Sequence, residues 1–164
     1  MVSRLIQKDI EQNKLPAKIE QSTDRKKSLD GAKYIINCTR IGGLEAFEHD
    51  INIPLQYGVD QCVGDTICAG GILYGQRNIP QTLNFCEDIK SYSHKDALFL
   101  NYSNPMAMNT WAAVSEAKVN TVGLCHGVQG GAKLISKALG SENDTDLEYM
   151  CSGINHMTWY IELK

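Results

Sequence analysis

Cys125-His126 joins a thiol to an imidazole directly after the apolar run Thr121-Val122-Gly123-Leu124 and before a stretch of helical pattern that begins at Gln129. A thiol at such a strand-to-helix junction faces the positive end of the helix, which favours the thiolate, the form that ligates metals and attacks electrophiles. The structural reading is a small buried cysteine, since cysteine is among the most buried residue types. His156, after Gly153-Ile154-Asn155, reads on its own first as a core or surface histidine and only then as a ligand. Asn104-Pro105 closes the apolar run Ala97-Leu98-Phe99-Leu100-Asn101-Tyr102, where an amide either holds ligand hydroxyls or stabilises the turn itself. Gly42-Gly43 follows Tyr34-Ile35-Ile36-Asn37-Cys38, and glycines there serve either a sharp turn or a close approach of backbone to ligand.

These positions need elements to hold them. Val2, Leu5, Ile6 and Ile10 recur at helical spacing until Pro16, which predicts an amphipathic helix at the start. Ala17 to Ser22 reads as a short strand, and Thr23 or Asp24 can cap a helix running through Lys26 to Leu29. Tyr34 to Cys38, Ala97 to Tyr102 and Thr121 to Cys125 are compact apolar runs of the buried parallel type. Between the first two, the pattern predicts a helical piece over 50–57 containing Pro54. An irregular segment follows, marked by Gly64-Asp65-Thr66, Gly70-Gly71 and Gly75, and then a helix from Ile79 to Tyr92 with Pro80 in its first turn. A helix through Trp111 to Ala117 and another over Gln129 to Leu139, ended by Gly140, continue the alternation. After the polar loop Ser141 to Asp146 come two strand-like runs, Leu147 to Ser152 and Met157 to Leu163, with no helix between them.

The fold class expected is α/β: a partial Rossmann-like parallel sheet flanked by helices, running into the first antiparallel strands of a second mixed domain. The boundary is expected near 143, with 1–143 in the first domain and 144–164 opening the second. Ligands of such sheets lie beyond the carboxyl ends of the strands, where the Gly-Gly, Asn-Pro and Cys-His pairs fall. No GxGxxG is present. The 164 residues carry 16 Lys+Arg against 19 Asp+Glu, a formal net charge of -3 without a basic run, which argues against a nucleic-acid partner. No run of eighteen apolar residues and no apolar signal core occur, so the reading is a soluble cytoplasmic protein without membrane contact. The six cysteines include no CxxC and are expected as free thiols.

Three segments then decide the class: Asn101-Tyr102-Ser103-Asn104-Pro105-Met106-Ala107-Met108, Val122-Gly123-Leu124-Cys125-His126-Gly127-Val128-Gln129-Gly130, and Gly153-Ile154-Asn155-His156-Met157. Together they closely resemble glycoside hydrolase family 4, in particular its α-galactosidase and α-glucosidase branch. Ile41-Gly42-Gly43-Leu44-Glu45, Ile53 to Gly58 and Val63-Gly64-Asp65-Thr66 extend the resemblance along almost the whole chain. The resemblance implies NAD and a divalent metal, Mn2+ or another, as cofactors, and residues 1–143 as part of the NAD-binding domain. It also implies an internal fragment, lacking the first strands with their glycine-rich turn and the downstream acid/base groups, and so inactive alone. The whole enzyme is expected to be a homo-oligomer acting on a small glycoside.

The chemistry implied is an NAD-dependent redox elimination, an exception to two-carboxylate glycoside hydrolysis. Oxidation at sugar C3 acidifies the C2 proton, elimination expels the leaving group, and addition of water with re-reduction completes hydrolysis. By resemblance Cys125 and His156 are the metal ligands; Asn104, His126 and Asn155 contact substrate; and Gly42, Gly43 and Asn104 line the dinucleotide. His126, and Phe47 where phospho-sugar members tend to carry arginine, imply an unphosphorylated sugar. Four of these residues, Asn104, Cys125, His126 and His156, are expected to converge on one cleft. Two other outcomes stay open: a 2-hydroxy-acid dehydrogenase of the lactate/malate type, for which only Arg40 and Arg77 are at hand as substrate-binding arginines, and an inactive remnant.

Overall fold

The computed structural model describes residues 2–62, 64–141 and 147–164. Three short parallel strands, β1 (Tyr34–Asn37), β2 (Leu98–Asn101) and β3 (Thr121–Gly123), lie in the order β1-β2-β3. The register pairs Asn37 with Asn101 and Asn101 with Gly123, so the three strands end level. Parallel neighbours require long crossovers, and helices supply them. α1 (Val2–Gln12) and α2 (Arg25–Leu29) precede β1, and α3 (Gly43–Gln56) and α4 (Cys68–Tyr92) connect it to β2. α5 (Met106–Ser115) leads from β2 to β3, and α6 (Gly127–Ala138) follows. β4 (Tyr149–Ile154) and β5 (Met157–Leu163) form an antiparallel ribbon.

Leu29, Cys86, Ile89, Phe99, Ala113 and Val119 build the core where α2, α4 and α5 cover one face of the sheet. Burial pushes the Cys86 thiol up to about 11. The expected double burial of the first strand does not hold: Tyr34 and Ile36 are 66% and 64% exposed, because the helices pack on the opposite face. Asp24 caps α2 as expected, its side chain accepting from the backbone of Lys26 at 3.0 Å and Lys27 at 3.3 Å. Ala17 to Ser22, expected as a strand, carries no regular structure, since a strand needs a ladder and none of the described strands pairs with it.

The helical piece expected over 50–57 is the second half of α3, which begins earlier, at Gly43, whereas the glycine-marked segment expected to be irregular is largely helix. Regular helix stops at Gln56 and resumes at Cys68, so Gly70, Gly71, Gly75 and Pro80 all lie inside α4. Three of these glycines mark packing, not turns. A Cβ on Gly70 would stand 2.8 Å from the Asp50 carbonyl, one on Gly71 3.1 Å from Thr66 Cα, and one on Gly75 2.9 Å from Met108 Sδ. Among the described residues no helix is long and apolar enough to cross a membrane. Val63 and 142–146, which include most of the expected polar loop and the expected boundary, lie outside the described residues.

Candidate active site

Because β1 and β2 end level, Asn37 and Asn101 meet side by side, and Asn37 Nδ2 donates to Asn101 Oδ1 at 3.0 Å. Asn101, fully buried, also accepts the Ser103 N–H at 3.2 Å and donates to the Ser103 carbonyl at 3.2 Å and Thr110 Oγ1 at 3.3 Å. Ser103 Oγ donates to the Thr39 carbonyl at 2.8 Å, and Asn78 Nδ2 to the Asn104 carbonyl at 2.6 Å. The turn after β2 is therefore held by buried amides. Asparagines at the ends of apolar runs are the sequence signal for Asn37 and Asn101, while Asn78, between Arg77 and Ile79, carries none.

A charged layer sits beside this lattice. Arg40 lies over the rings of Phe47 at 4.6 Å and Tyr74 at 5.1 Å, and pairs with Asp65 at 2.8 Å. Asp65 also accepts from Asn104 Nδ2 at 3.4 Å. Burial raises the Tyr74 phenol, against the neighbouring Arg40 charge, which lowers it. Arg77 donates to both carboxylate oxygens of buried Asp50, at 2.6 and 3.2 Å, and to the Ile41 carbonyl at 3.0 Å. The Asp50 hydrogen bond holds Arg77 above its ordinary value. Gly42, in the left-handed region at φ 87°, caps α3, and a Cβ there would stand 2.9 Å from Arg77 Nε. Packing against Arg77 thus accounts for glycine at 42 without a ligand. Gly43, at φ 63°, has open space where a Cβ would be.

Beyond β3 a cavity of about 420 Å³ opens between the starts of α5 and α6 and the β4-β5 ribbon. Cys125, Cys151, Asn155 and His156 line it together with Met106 and Gly123. Cys125 Sγ accepts the Gly127 N–H at 3.4 Å. The ribbon is seated on α6 by Tyr160, whose hydroxyl donates to the Val128 carbonyl and whose ring fits over Gly131, where a Cβ would come 3.0 Å from Cζ. Ile154 pairs with Met157, so Asn155-His156 is the two-residue turn of the ribbon. His156 takes φ 65° in that turn, a left-handed conformation that costs a side-chain-bearing residue roughly 1–2 kcal/mol. Asn155 Oδ1 and His156 Nδ1 are both buried without a hydrogen-bond partner.

The structure thus brings Cys125, Asn155 and His156 to one cavity, and Asn104 and His126 are not among its lining. Asn104 faces Asp65, and His126 stands exposed at the start of α6. Cys151, expected from sequence only as a free thiol, is on the cavity wall. Among the described residues no set of three or more His, Cys, Asp or Glu side chains is grouped to hold a metal. Cys125 and His156 could supply two ligands and leave the other positions to oxygens of a bound molecule, the open arrangement a catalytic metal needs. The buried, unpartnered Nδ1 fits that use.

Beyond the carboxyl edge of a Rossmann-like parallel sheet, a thiol and an imidazole thus line one cavity. The chain belongs to the family described as family 4 glycosyl hydrolase, which it matches over residues 1–141. It is 60% identical over 164 residues to an α-galactosidase of Rhizobium meliloti (strain 1021), covering 100% of this chain and 33% of that protein. It is 42% identical over 147 residues to an α-galactosidase of Bacillus subtilis (strain 168), covering 89% of this chain and 34% of that protein. A 6-phospho-α-glucosidase from gut microorganisms, solved in complex with NAD and glucose-6-phosphate, superposes with a TM-score of 0.83 at 27% identity. That match covers 99% of this chain and 38% of the solved one. The chain spans about a third of the length of the curated relatives it matches.

Proposed function

We propose that the whole protein hydrolyses unphosphorylated α-galactosides in the cytoplasm, as a homo-oligomer, with NAD and a divalent metal such as Mn2+. The observation that carries the reading is the shared cavity of Cys125 and His156, with His156 Nδ1 buried, unpartnered and held on left-handed backbone. Two α-galactosidase relatives favour galactose over glucose. When bound, the two cofactors supply a hydride acceptor for sugar C3 and a Lewis acid for its oxygen.

The chain's own residues have definite tasks in this reading. Cys125 and His156 hold the metal, and the Gly127 N–H orients the sulfur from the side of α6. Asn155, beside His156 on the same turn, offers its unpartnered Oδ1 to a sugar hydroxyl, which would supply the missing donor. Gly43 leaves open backbone at the start of α3 for the dinucleotide, with Gly42 shaping the turn. Asn104, anchored on Asp65, contacts substrate from the β2 exit, and His126, exposed at the start of α6, does so from the β3 exit.

The test is the whole protein assayed on an aryl α-galactoside with NAD, Mn2+ and a thiol reductant, before and after chelation, as wild type and as Cys125→Ser. Chelation should abolish turnover reversibly. Cys125→Ser should lower kcat/KM on the order of 1,000-fold or more, because a lost ligand removes several kcal/mol and each 1.36 kcal/mol is tenfold. Turnover that survives both treatments unchanged refutes the reading.

A further inference from the structure

Two glycines in succession, Gly42 at φ 87° and Gly43 at φ 63°, form the turn between β1 and α3, and little within the turn itself holds it. Gly42 caps α3 without a side chain to accept from the helix, and the Gly43 N–H reaches the Arg40 carbonyl only at 3.3 Å. Glycine has the widest choice of backbone conformations, so such a turn keeps one shape only when something outside fixes it. Arg77, on α4, does so. Its Nε donates to the Ile41 carbonyl at 3.0 Å, and a Cβ on Gly42 would meet that same nitrogen at 2.9 Å. The two terminal nitrogens donate to both carboxylate oxygens of buried Asp50 on α3, at 3.2 and 2.6 Å. The Tyr74 ring faces the guanidinium carbon at 5.2 Å.

We propose that Arg77, oriented by Asp50, is the positioning residue of the dinucleotide turn: it holds Ile41-Gly42-Gly43 in the conformation that receives NAD, without touching the cofactor. This rests on the proposed function, in which that turn lies against the dinucleotide. All three Arg77 nitrogens already have protein acceptors, so the side chain acts through the turn and not as a phosphate ligand. The same engagement leaves it unavailable as the substrate-binding arginine of a 2-hydroxy-acid dehydrogenase. A bidentate guanidinium–carboxylate pair fixes the plane of the group, and with the plane fixed Nε points along one line, to the Ile41 carbonyl. A lysine carries its charge at one point and has no second donor along the stem to reach Ile41. A turn that holds its receptive shape only part of the time weakens NAD binding by that fraction.

The experiment titrates the whole protein with NAD alone and with Mn2+ alone by calorimetry, as wild type, Arg77→Lys, Asp50→Asn and Arg25→Lys, with thermal melts to confirm that each variant folds. Arg25→Lys is the control: it weakens another ion pair of α4, Arg25 with Asp88, and Asp88 lies roughly 16 Å further along the helix than Arg77. Arg77→Lys should raise the Kd for NAD about tenfold, as a turn receptive one-tenth of the time requires, and Asp50→Asn, which keeps the Ile41 bond, about threefold. Both should leave the Kd for Mn2+ within about twofold, since Cys125 and His156 lie beyond β3, and Arg25→Lys should move neither constant. An unchanged NAD affinity in folded Arg77→Lys, an equal loss of Mn2+ affinity, or an equal loss of NAD affinity in Arg25→Lys overturns the positioning role while leaving the proposed function standing. Should Arg77→Lys not fold, Asp50→Asn is read by the same criteria. If wild type binds no NAD, the proposed function fails and the positioning role fails with it.

Discussion

At the ends of β1 and β2, Asn37, Asn101 and Ser103 bond to one another and to the backbone of the turns they flank, whereas beyond β3 Asn155 Oδ1 and His156 Nδ1 are buried with no partner at all. The first region leaves one such atom, Asn109 Oδ1. The second places two on a single tight turn and adds a left-handed histidine. A buried polar atom without a partner costs about 1–3 kcal/mol. The lattice therefore spends its polar groups on holding the loop of Asn104. The ribbon turn holds its own in reserve, at a cost that a bound molecule can offset.

The largest effect that can break this comparison lies in the lattice. Asn101→Ala strands the Asn37 amide and the Ser103 N–H in a dry site, and urea denaturation should show a loss of about 4 kcal/mol. A loss below 1 kcal/mol would mean that the amides are not the frame of the site.

A thiol sharpens the contrast next. Cys86 is fully buried, and burial raises its pKa from 9.0 to about 11. The unfolded chain releases this proton near pH 9 and the folded one does not, so stability is complete below pH 9 and falls as pH climbs towards 11. Two units correspond to about 2–3 kcal/mol. Tyr74, also raised by burial, adds in the same direction above pH 10.0. Urea midpoints between pH 8 and 11 should fall in wild type and fall less in Cys86→Ala; parallel profiles would remove Cys86 as the cause.

The smallest effect carries the opposite sign. His156→Gly removes the side chain from a left-handed position and should raise stability by about 1 kcal/mol, while Mn2+ affinity measured by titration calorimetry drops. A histidine variant that loses stability would show that the ring supports the fold instead of waiting for a ligand.

Part of the candidate site was legible because it is local. Cys125 falls at a strand exit that an apolar run announces, and Gly153 to Met157 is one short motif, whereas Asn104 and His126, read from the same kind of signal, are not on the cavity wall. The second half of α3 was legible, but the early start of α4 was not, since Gly70, Gly71 and Gly75 look like breakers until Asp50, Thr66 and Met108 are packed against them. Cys151 gave no signal either, as its place on the cavity wall depends on the ribbon docking through Tyr160 onto Gly131.

By itself the sequence determined the alternation of strands and helices, the antiparallel close and the placing of a thiol and an imidazole beside short local motifs, all of which follow from side-chain periodicity and from chemistry carried by single residues. Tertiary structure alone decided which of those residues share a space. Cys125 and His156 are separated by a helix and a strand, and they meet because α6 carries the ribbon back over the end of β3. Asn104, on the neighbouring strand exit, turns instead to Asp65, since side-chain direction at a turn is set by hydrogen-bond partners that no spacing in the sequence records.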